Sequence, residues 1–354
     1  MSATQTPVRI GFVGVGNMGQ MAHLRNYATL SECRVVALAE PRPVLARRVG
    51  AKYEIPGVYA DARTMLEHEK LDALVAPQPF DRHGQLIPPL YQSGLPVLTE
   101  KPLASSPETG RAMLEALRTG GSWHMIGYHK RSDPATAYAK TEIERVKSTG
   151  ELGKLRYVRI LMPSGDWIAG GFNDLISSSE PVPGIPSDPE PAGLSDQEAK
   201  WYWEFVNYYI HQVNLLRYLL GEEYRVTYAD PSGVLLAAQS ASGVAATIEM
   251  SPYSTSHAWQ ESALVCFEKG WISLELPAPV ALNRPGKVTL FRDHQPGAAP
   301  QTITPDLPWE HAMRSQAKNY VAAVRGEIAP LCEAAEALLD LEIARDYLRL
   351  WKGI

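Results

Sequence analysis

The sequence predicts an α/β protein in two parts: a parallel sheet flanked by helices, then a region built on a large, mainly antiparallel sheet. Three observations carry this reading. Residues 8–19, VRIGFVGVGNMG, run an apolar strand into a glycine-rich turn. Residues 8–126 then alternate short apolar runs with amphipathic stretches, the pattern of successive βαβ units. From residue 225 onward, strand-like runs follow one another with only turn residues between them, as in an antiparallel sheet.

Taken in order, Val8, Ile10 and Val13 mark residues 8–13 as a buried strand. Gly14-Val15-Gly16-Asn17-Met18-Gly19 breaks it, and residues 21–30 continue as a helix. Strand, G-x-G-x-x-G and helix form the dinucleotide fingerprint. The first glycine permits the tight turn, the second lets a pyrophosphate approach the backbone, and the third lets helix and strand pack closely. The anion then lies on N–H groups at the positive end of the helix. A second apolar run, residues 34–39, ends in Glu40. That acid falls about 20 residues after the turn, where a carboxylate accepts bonds from the adenosine ribose hydroxyls. Glu40 repels a 2′-phosphate and so favours NAD, while Arg42 beside it keeps NADP as the less favoured choice. The alternative is a structural βα turn with an incidental acid.

The α/β pattern continues with helices over 44–50, 62–69, 82–93 and 107–119, and strands over 58–59, 71–76, 96–99 and 123–127. Right-handed crossovers place ligands beyond the carboxyl ends of such strands. A helix over 134–148 and a strand over 155–162 follow. Residues 163–197 are irregular and rich in Gly, Pro and Ser, yet Trp167, Ile168 and Phe172 interrupt them. A stretch of that kind reads as a substrate-covering loop rather than a linker. Next come a helix over 200–220, strands over 225–229, 233–238, 244–250, 263–268, 271–275 and 287–291, and helices over 311–325 and 332–351. The expected division is 1–127, 128–330, and a terminal helix at 331–354 that packs back on the first domain.

Composition narrows the function. The chain has 354 residues, 45% apolar and 21% charged, with a net charge of −5. There is no basic footprint for nucleic acid and no Lys/Arg block for a membrane surface. No window reaches the ~18 apolar residues that span a bilayer, and no apolar leader precedes the first strand, so a cytoplasmic protein is expected. Cys33, Cys266 and Cys332 lack metal or redox spacing and read as free thiols. No metal is expected.

Two further features carry chemistry. Glu100-Lys101-Pro102 closes a predicted parallel strand on its ligand edge; its lysine is either a site residue or a solvated loop cation. On the 200–220 helix, Trp203, Asn207, His211, Asn214 and Tyr218 follow spacings of four, four, three and four, which puts them on one stripe. Val206, Ile210, Val213, Leu216 and Leu220 supply apolar packing beside it. Buried polar groups need partners, so the stripe faces either a ligand or polar neighbours in the core.

Together Gly14–Gly19, Glu40, Glu100-Lys101-Pro102 and a helical His ahead of Leu219-Leu220-Gly221 resemble the glucose–fructose oxidoreductase / inositol dehydrogenase / rhizopine catabolism (Gfo/Idh/MocA) family. Ala76-Pro77 with His83, Gly127-Tyr128 leading to Arg131 and Asp133-Pro134, and the last helix extend the likeness over nearly the whole chain. The resemblance implies an N-terminal Rossmann domain, a C-terminal α/β domain with an open sheet, and a homodimer or homotetramer formed through that sheet. It also implies oxidation or reduction of a sugar, cyclitol or related polyol with NAD(P).

By the same resemblance, Gly14, Gly16, Asn17, Met18, Gly19, Glu40, Pro77, Gln78, His83, Glu100 and Lys101 hold the cofactor. Lys101 and His211 are the catalytic pair. His211, with an unperturbed pKa near ~6.5, takes the hydroxyl proton, and Lys101 stabilises the developing alkoxide. Tyr128, Arg131, Asp166, Trp167, Trp203 and Asn207 join His211 against substrate. One departure stands out: the family helix commonly carries Asp, three residues, His, two residues, Asp. Here Asn207 and Asn214 replace both acids, and an amide cannot take a proton as a carboxylate can. Two rival activities follow. One is an NAD-dependent glycoside hydrolase that oxidises, eliminates and re-reduces with no net NADH. The other is a non-catalytic NAD-binding sensor.

Overall fold

Six strands form the first sheet: β1 (Val8–Val13), β2 (Cys33–Ala39), β3 (Gly57–Tyr59), β4 (Ala73–Val75), β5 (Val97–Glu100) and β6 (His124–Gly127); β4, β5 and β6 are buried on both faces, while Val58 of the edge strand β3 is exposed. The computed structural model describes residues 6–182, 184–293, 297 and 299–353. Residues 1–5, where no apolar leader was read, and residue 354 of the expected terminal segment 331–354 lie outside them. The strand order is 3-2-1-4-5-6; every pairing is parallel, and that parallel sheet is what the sequence reading expected. Ile10, Phe12, Leu38, Val75 and Leu98 fill the core of this sheet. Tyr320 reaches it from late in the chain, its hydroxyl 2.9 Å from Leu74 O and 2.8 Å from Pro96 O.

Two helix expectations need correction here. The helix after the glycine turn starts earlier than read, as a π-helical turn over Gly19–Leu24 continued by Arg25–Tyr27. The single helix expected over 82–93 is three short pieces, Phe80–Arg82, His83–Leu86 and Pro88–Tyr91. Pro88 and Pro89 lack the N–H groups that would carry one helix through, and their rings crowd the preceding turn.

The second sheet has eight strands: β7 (Leu155–Ser164), β8 (Tyr224–Ala229), β9 (Leu235–Ser240), β10 (Ala245–Ser254), β11 (Glu261–Phe267), β12 (Gly270–Leu276), β13 (Lys287–Arg292) and β14 (Gln301–Ile303). Their order is 14-13-12-11-7-10-9-8. All pairs are antiparallel except β7 with β10, so the sheet is mixed at its centre. The edge strand β14 carries too little apolar signal to have been read from sequence. Side chains alternate along β7 and β11, with Val158, Ile160, Ala263 and Val265 on the buried face. The Pro134–Thr149 and Ile210–Leu220 helices pack on this sheet.

The helix expected over 200–220 is two helices, Asp196–Tyr208 and Ile210–Leu220, broken at Tyr209 with φ −98° and ψ −2°. One non-helical residue leaves the apolar period almost intact, so sequence pattern cannot register the break. Gly221, left-handed at φ 73°, ends the second helix.

By contact the chain forms two units. The first holds residues up to Tyr128, Phe172–Trp203 and Gln316–Leu341; the second holds His129–Gly171, Glu204–Ser315 and residues from Glu342 onward. In the first unit, Leu338 and Leu341 of the Ala334–Lys352 helix lie against Gly110. Among the described residues no helix is long and apolar enough to cross a membrane.

In the second unit Asp133 caps the Pro134–Thr149 helix, accepting from Ala135 N at 2.8 Å and from Gly286 N at 3.1 Å. Burial pushes its pKa up to about 6 against those donors. The folded state therefore holds the proton more tightly than the unfolded chain, whose Asp titrates near ~3.9. Compared with Asp133→Asn, the wild-type protein should lose stability as pH rises from about 4 to about 6, by on the order of 2–3 kcal/mol. Denaturant unfolding of both proteins across that range checks this; parallel curves would refute it.

Candidate functional site

The end of β1 sets the glycine turn. Gly14 has φ +89°, and a Cβ on it would lie 2.3 Å from Gln78 Nε2. That amide donates to Val13 O at 2.6 Å, so Gln78 seals the turn from the neighbouring strand end. A Cβ on Gly19 would meet Gly14 O at 2.9 Å and Pro77 Cγ at 3.2 Å. Packing thus requires the first and third glycines. Gly16 differs, because nothing lies within 4 Å of its Cβ position. That open space over bare backbone fits an approaching pyrophosphate, and a side chain would fill it. Asn17 is exposed and Met18 half-buried at the same turn.

Glu40 follows β2 and is 3% exposed. Its Oε2 accepts from Val15 N at 3.1 Å, which ties the acid to the turn. Arg42 grips both oxygens, Nε to Oε1 at 2.7 Å and a terminal guanidinium nitrogen to Oε2 at 3.0 Å.

On the same sheet edge, buried Glu100 ends β5 and accepts from His23 Nε2 at 2.6 Å. Burial raises the Glu100 pKa, but the His23 bond and Lys101 outweigh it and hold the carboxyl below its ordinary value. Lys101 N also donates to Glu100, at 3.2 Å, and the Lys101–Pro102 peptide is cis. His23 couples the helix of the glycine turn to the Glu100-Lys101 segment, and sequence reading missed it. His83 is fully buried; its ring nitrogens lie 3.0 Å from Leu103 O and 3.0 Å from Gln78 O. Burial lowers its pKa, and the two carbonyls oppose that shift. Tyr128 is buried at the end of this unit, and Trp203 donates to Ser105 O at 3.0 Å.

The second unit assembles part of the polar stripe. Buried Arg131 donates through Nε to Asn214 Oδ1 at 2.6 Å, and its guanidinium carbon lies 4.7 Å above the Tyr218 ring. His211 is half-buried, with its ring edge-on to buried His129 at 4.6 Å. Asn207, on the preceding helix, is exposed. Beneath them Lys130 bonds Glu261, which also accepts from Gln212 at 2.7 Å. Asp166 closes its own turn, accepting from Ile168 N and Ala169 N at 3.0 Å, while Trp167 is exposed beside it. Among the described residues no group of three His, Cys, Asp or Glu could hold a metal ion.

The irregular stretch lies along the first unit. Gln20 Nε2 donates to Val15 O at 2.8 Å and Ile176 O at 2.9 Å, and Ile176 N returns a bond to Gln20 at 3.1 Å. Lys52 pairs with Asp174 at 2.6 Å, Glu180 meets the start of the Pro43–Lys52 helix, and Gly84 N donates to Asp188 at 2.8 Å. The sequence suggested a cover for substrate; these bonds tie Asp174, Ile176, Glu180 and Asp188 to the glycine-turn half of the protein. Neither Gln20 nor Glu180 carries a local motif that would have flagged it.

A strand order of 3-2-1-4-5-6 with this turn defines a dinucleotide-binding fold of Rossmann type. Residues 8–128 match the GFO_IDH_MocA model, described as an oxidoreductase family with an NAD-binding Rossmann fold. The chain is 28% identical over 256 residues to inositol 2-dehydrogenase 4 of Saccharopolyspora erythraea, covering 69% of this chain and 66% of that protein. It is 27% identical to the scyllo-inositol 2-dehydrogenase (NAD(+)) of Bacillus subtilis, covering 61% of this chain and 55% of that protein. The matched stretches thus span between about half and two thirds of these relatives. An oxidoreductase of Desulfitobacterium hafniense, described provisionally as NADPH-dependent, shares the fold with a TM-score of 0.75 at 15% identity, over 98% of this chain and 96% of that one. The match over residues 8–128 and the inositol dehydrogenase relatives bear out the resemblance to the Gfo/Idh/MocA oxidoreductase family.

The Arg131–Asn214 bond yields a stability test. Asn214→Leu leaves a buried guanidinium short of an acceptor and should cost on the order of 2 kcal/mol. Asn214→Asp keeps an acceptor there and should cost less. Denaturant unfolding of the two variants decides, and equal losses would show that the contact contributes nothing.

Proposed function

We propose that the protein is a dehydrogenase that moves hydride between a hydroxyl carbon of a sugar, cyclitol or sugar derivative and a nicotinamide dinucleotide, with NAD favoured. The observation that carries the reading is the first unit's strand edge. There an open Gly16 backbone, a Glu40 fixed to the turn and a Glu100 carboxylate beside Lys101 all follow the ends of parallel strands.

Bound NAD supplies the hydride acceptor. The glycine turn receives its pyrophosphate, and Glu40 receives the adenosine ribose hydroxyls. Gln78, Pro77 and His83 act by bracing the turn and its neighbouring segment. Lys101 stabilises charge on the substrate oxygen as the C–H bond breaks. His211 takes the hydroxyl proton, leaving a carbonyl product. These roles follow from the family resemblance, as does Arg131 against substrate; Tyr128, Asp166, Trp167, Trp203 and Asn207 are chosen because a sugar needs both hydrogen bonds and aromatic faces.

Names among the relatives point to both dinucleotides, NAD+ for the Bacillus protein and NADPH for the Desulfitobacterium one. Self-association through the second sheet is part of the same reading. Its other face presents half-buried Leu161, Leu264, Trp271 and Phe291, the last two stacked at 5.7 Å.

The test is a parallel screen of polyols, sugars and aryl glycosides, following reduced cofactor and free aglycone. NADH formation with one substrate class supports the dehydrogenase; aglycone release without net NADH identifies the hydrolase instead. With the best substrate, Lys101→Ala should lower kcat by about 10²–10³-fold while NAD+ binding persists. Near-normal turnover would remove Lys101 from the chemistry.

A further inference from the structure

The 172–182 stretch meets the first unit at the amino end of the Pro43–Lys52 helix, just beyond Glu40. No side chain of Arg42 caps this helix, and Pro43 at its start has no N–H, so Val44 and Leu45 offer the first donors. Both give them to one carboxylate from far along the chain. Val44 N donates to Glu180 Oε1 at 2.8 Å, and Leu45 N donates to Glu180 Oε2 at 2.9 Å. Ser178 Oγ adds a third donor at 3.0 Å. Burial pushes the Glu180 pKa up, but these donors and Arg47 on the same helix outweigh it, so the group is held ionised.

Two features at this strand end attract a phosphate: a helix N-terminus and an arginine. Each is already held by an acid, the helix by Glu180 and Arg42 by Glu40. The Glu40–Arg42 pair largely cancels its own charge, so it repels a phosphate weakly. Glu180 supplies the charge that the pair lacks.

We propose that Glu180 is a specificity-determining residue. By filling the Val44 and Leu45 N–H groups with a carboxylate, it lets the adenosine end accept a ribose 2′-hydroxyl and reject a 2′-phosphate. This rests on the reading that a dinucleotide places its adenosine ribose at Glu40. It assigns half of cofactor choice to a segment well over a hundred residues after the fingerprint.

Isothermal titration of the full chain with NAD+, NADP+, ADP and 2′,5′-ADP tests it. In Glu180→Ala the ratio of NADP+ to NAD+ affinity should move toward NADP+ by about tenfold, the scale of one unit charge near a surface. Glu180→Gln, which keeps an acceptor but not the charge, should move it part of the way, with 2′,5′-ADP following NADP+. Asp174→Ala, which removes the acid paired with Lys52 near the other end of the same helix, should leave the ratio unchanged. A ratio unmoved in Glu180→Ala, or moved toward NAD+, with NAD+ still bound, would reduce Glu180 to a helix cap and overturn the proposal. A wild-type protein that binds neither NAD+ nor ADP would overturn the dinucleotide reading itself, and this proposal with it.

Discussion

Parallel pairing of β1 with β2 and β4 is the constraint on which the first unit depends. Parallel strands point one way, so their carboxyl ends share an edge, and residues remote in sequence become neighbours there. Gly14 N bonds Ala39 O at 2.8 Å, and Ala76 N bonds Leu98 O at 2.8 Å. Those two bonds align the ends of four strands. Gln78 and His23 then fasten the loops that leave them, one to the glycine turn and one to Glu100. A slip of one residue would turn every inward side chain outward and part the turn from Glu40.

Polar groups inside the protein are held by partners chosen across long sequence distances. Arg131 with Asn214, Lys130 with Glu261 and Gln212, and His23 with Glu100 are all buried sets. Unpaired, each charge would be costly to remove from water. Paired, each ties together the segments that carry it.

The long irregular stretch shows another way to order a chain. Along residues 172–182 and 184–188 only Ile176 packs on the first core, and backbone and side-chain hydrogen bonds to Gln20, Arg48, Lys52, Val44, Leu45 and Gly84 hold the stretch. A loop without its own core can therefore lie in a fixed place, and its acids can bear on elements formed much earlier in the chain.

The sequence alone determined the class of both sheets, the strand–turn–helix of the dinucleotide fold, and the Glu100-Lys101-Pro102 segment. These were legible because apolar period and glycine position are local properties of the chain. Two kinds of feature were not. The break at Tyr209 rests on one residue that leaves hydrophobic period nearly unchanged, whereas the break before Pro88 and Pro89 is written in the sequence and was passed over because the apolar period runs through it. The partners of His23, Gln20, Asn214 and Glu180 depend on tertiary proximity, since a hydrogen bond forms between atoms that the fold brings together. Periodicity encodes which face of an element is buried; only the folded chain decides which polar group each buried donor will meet.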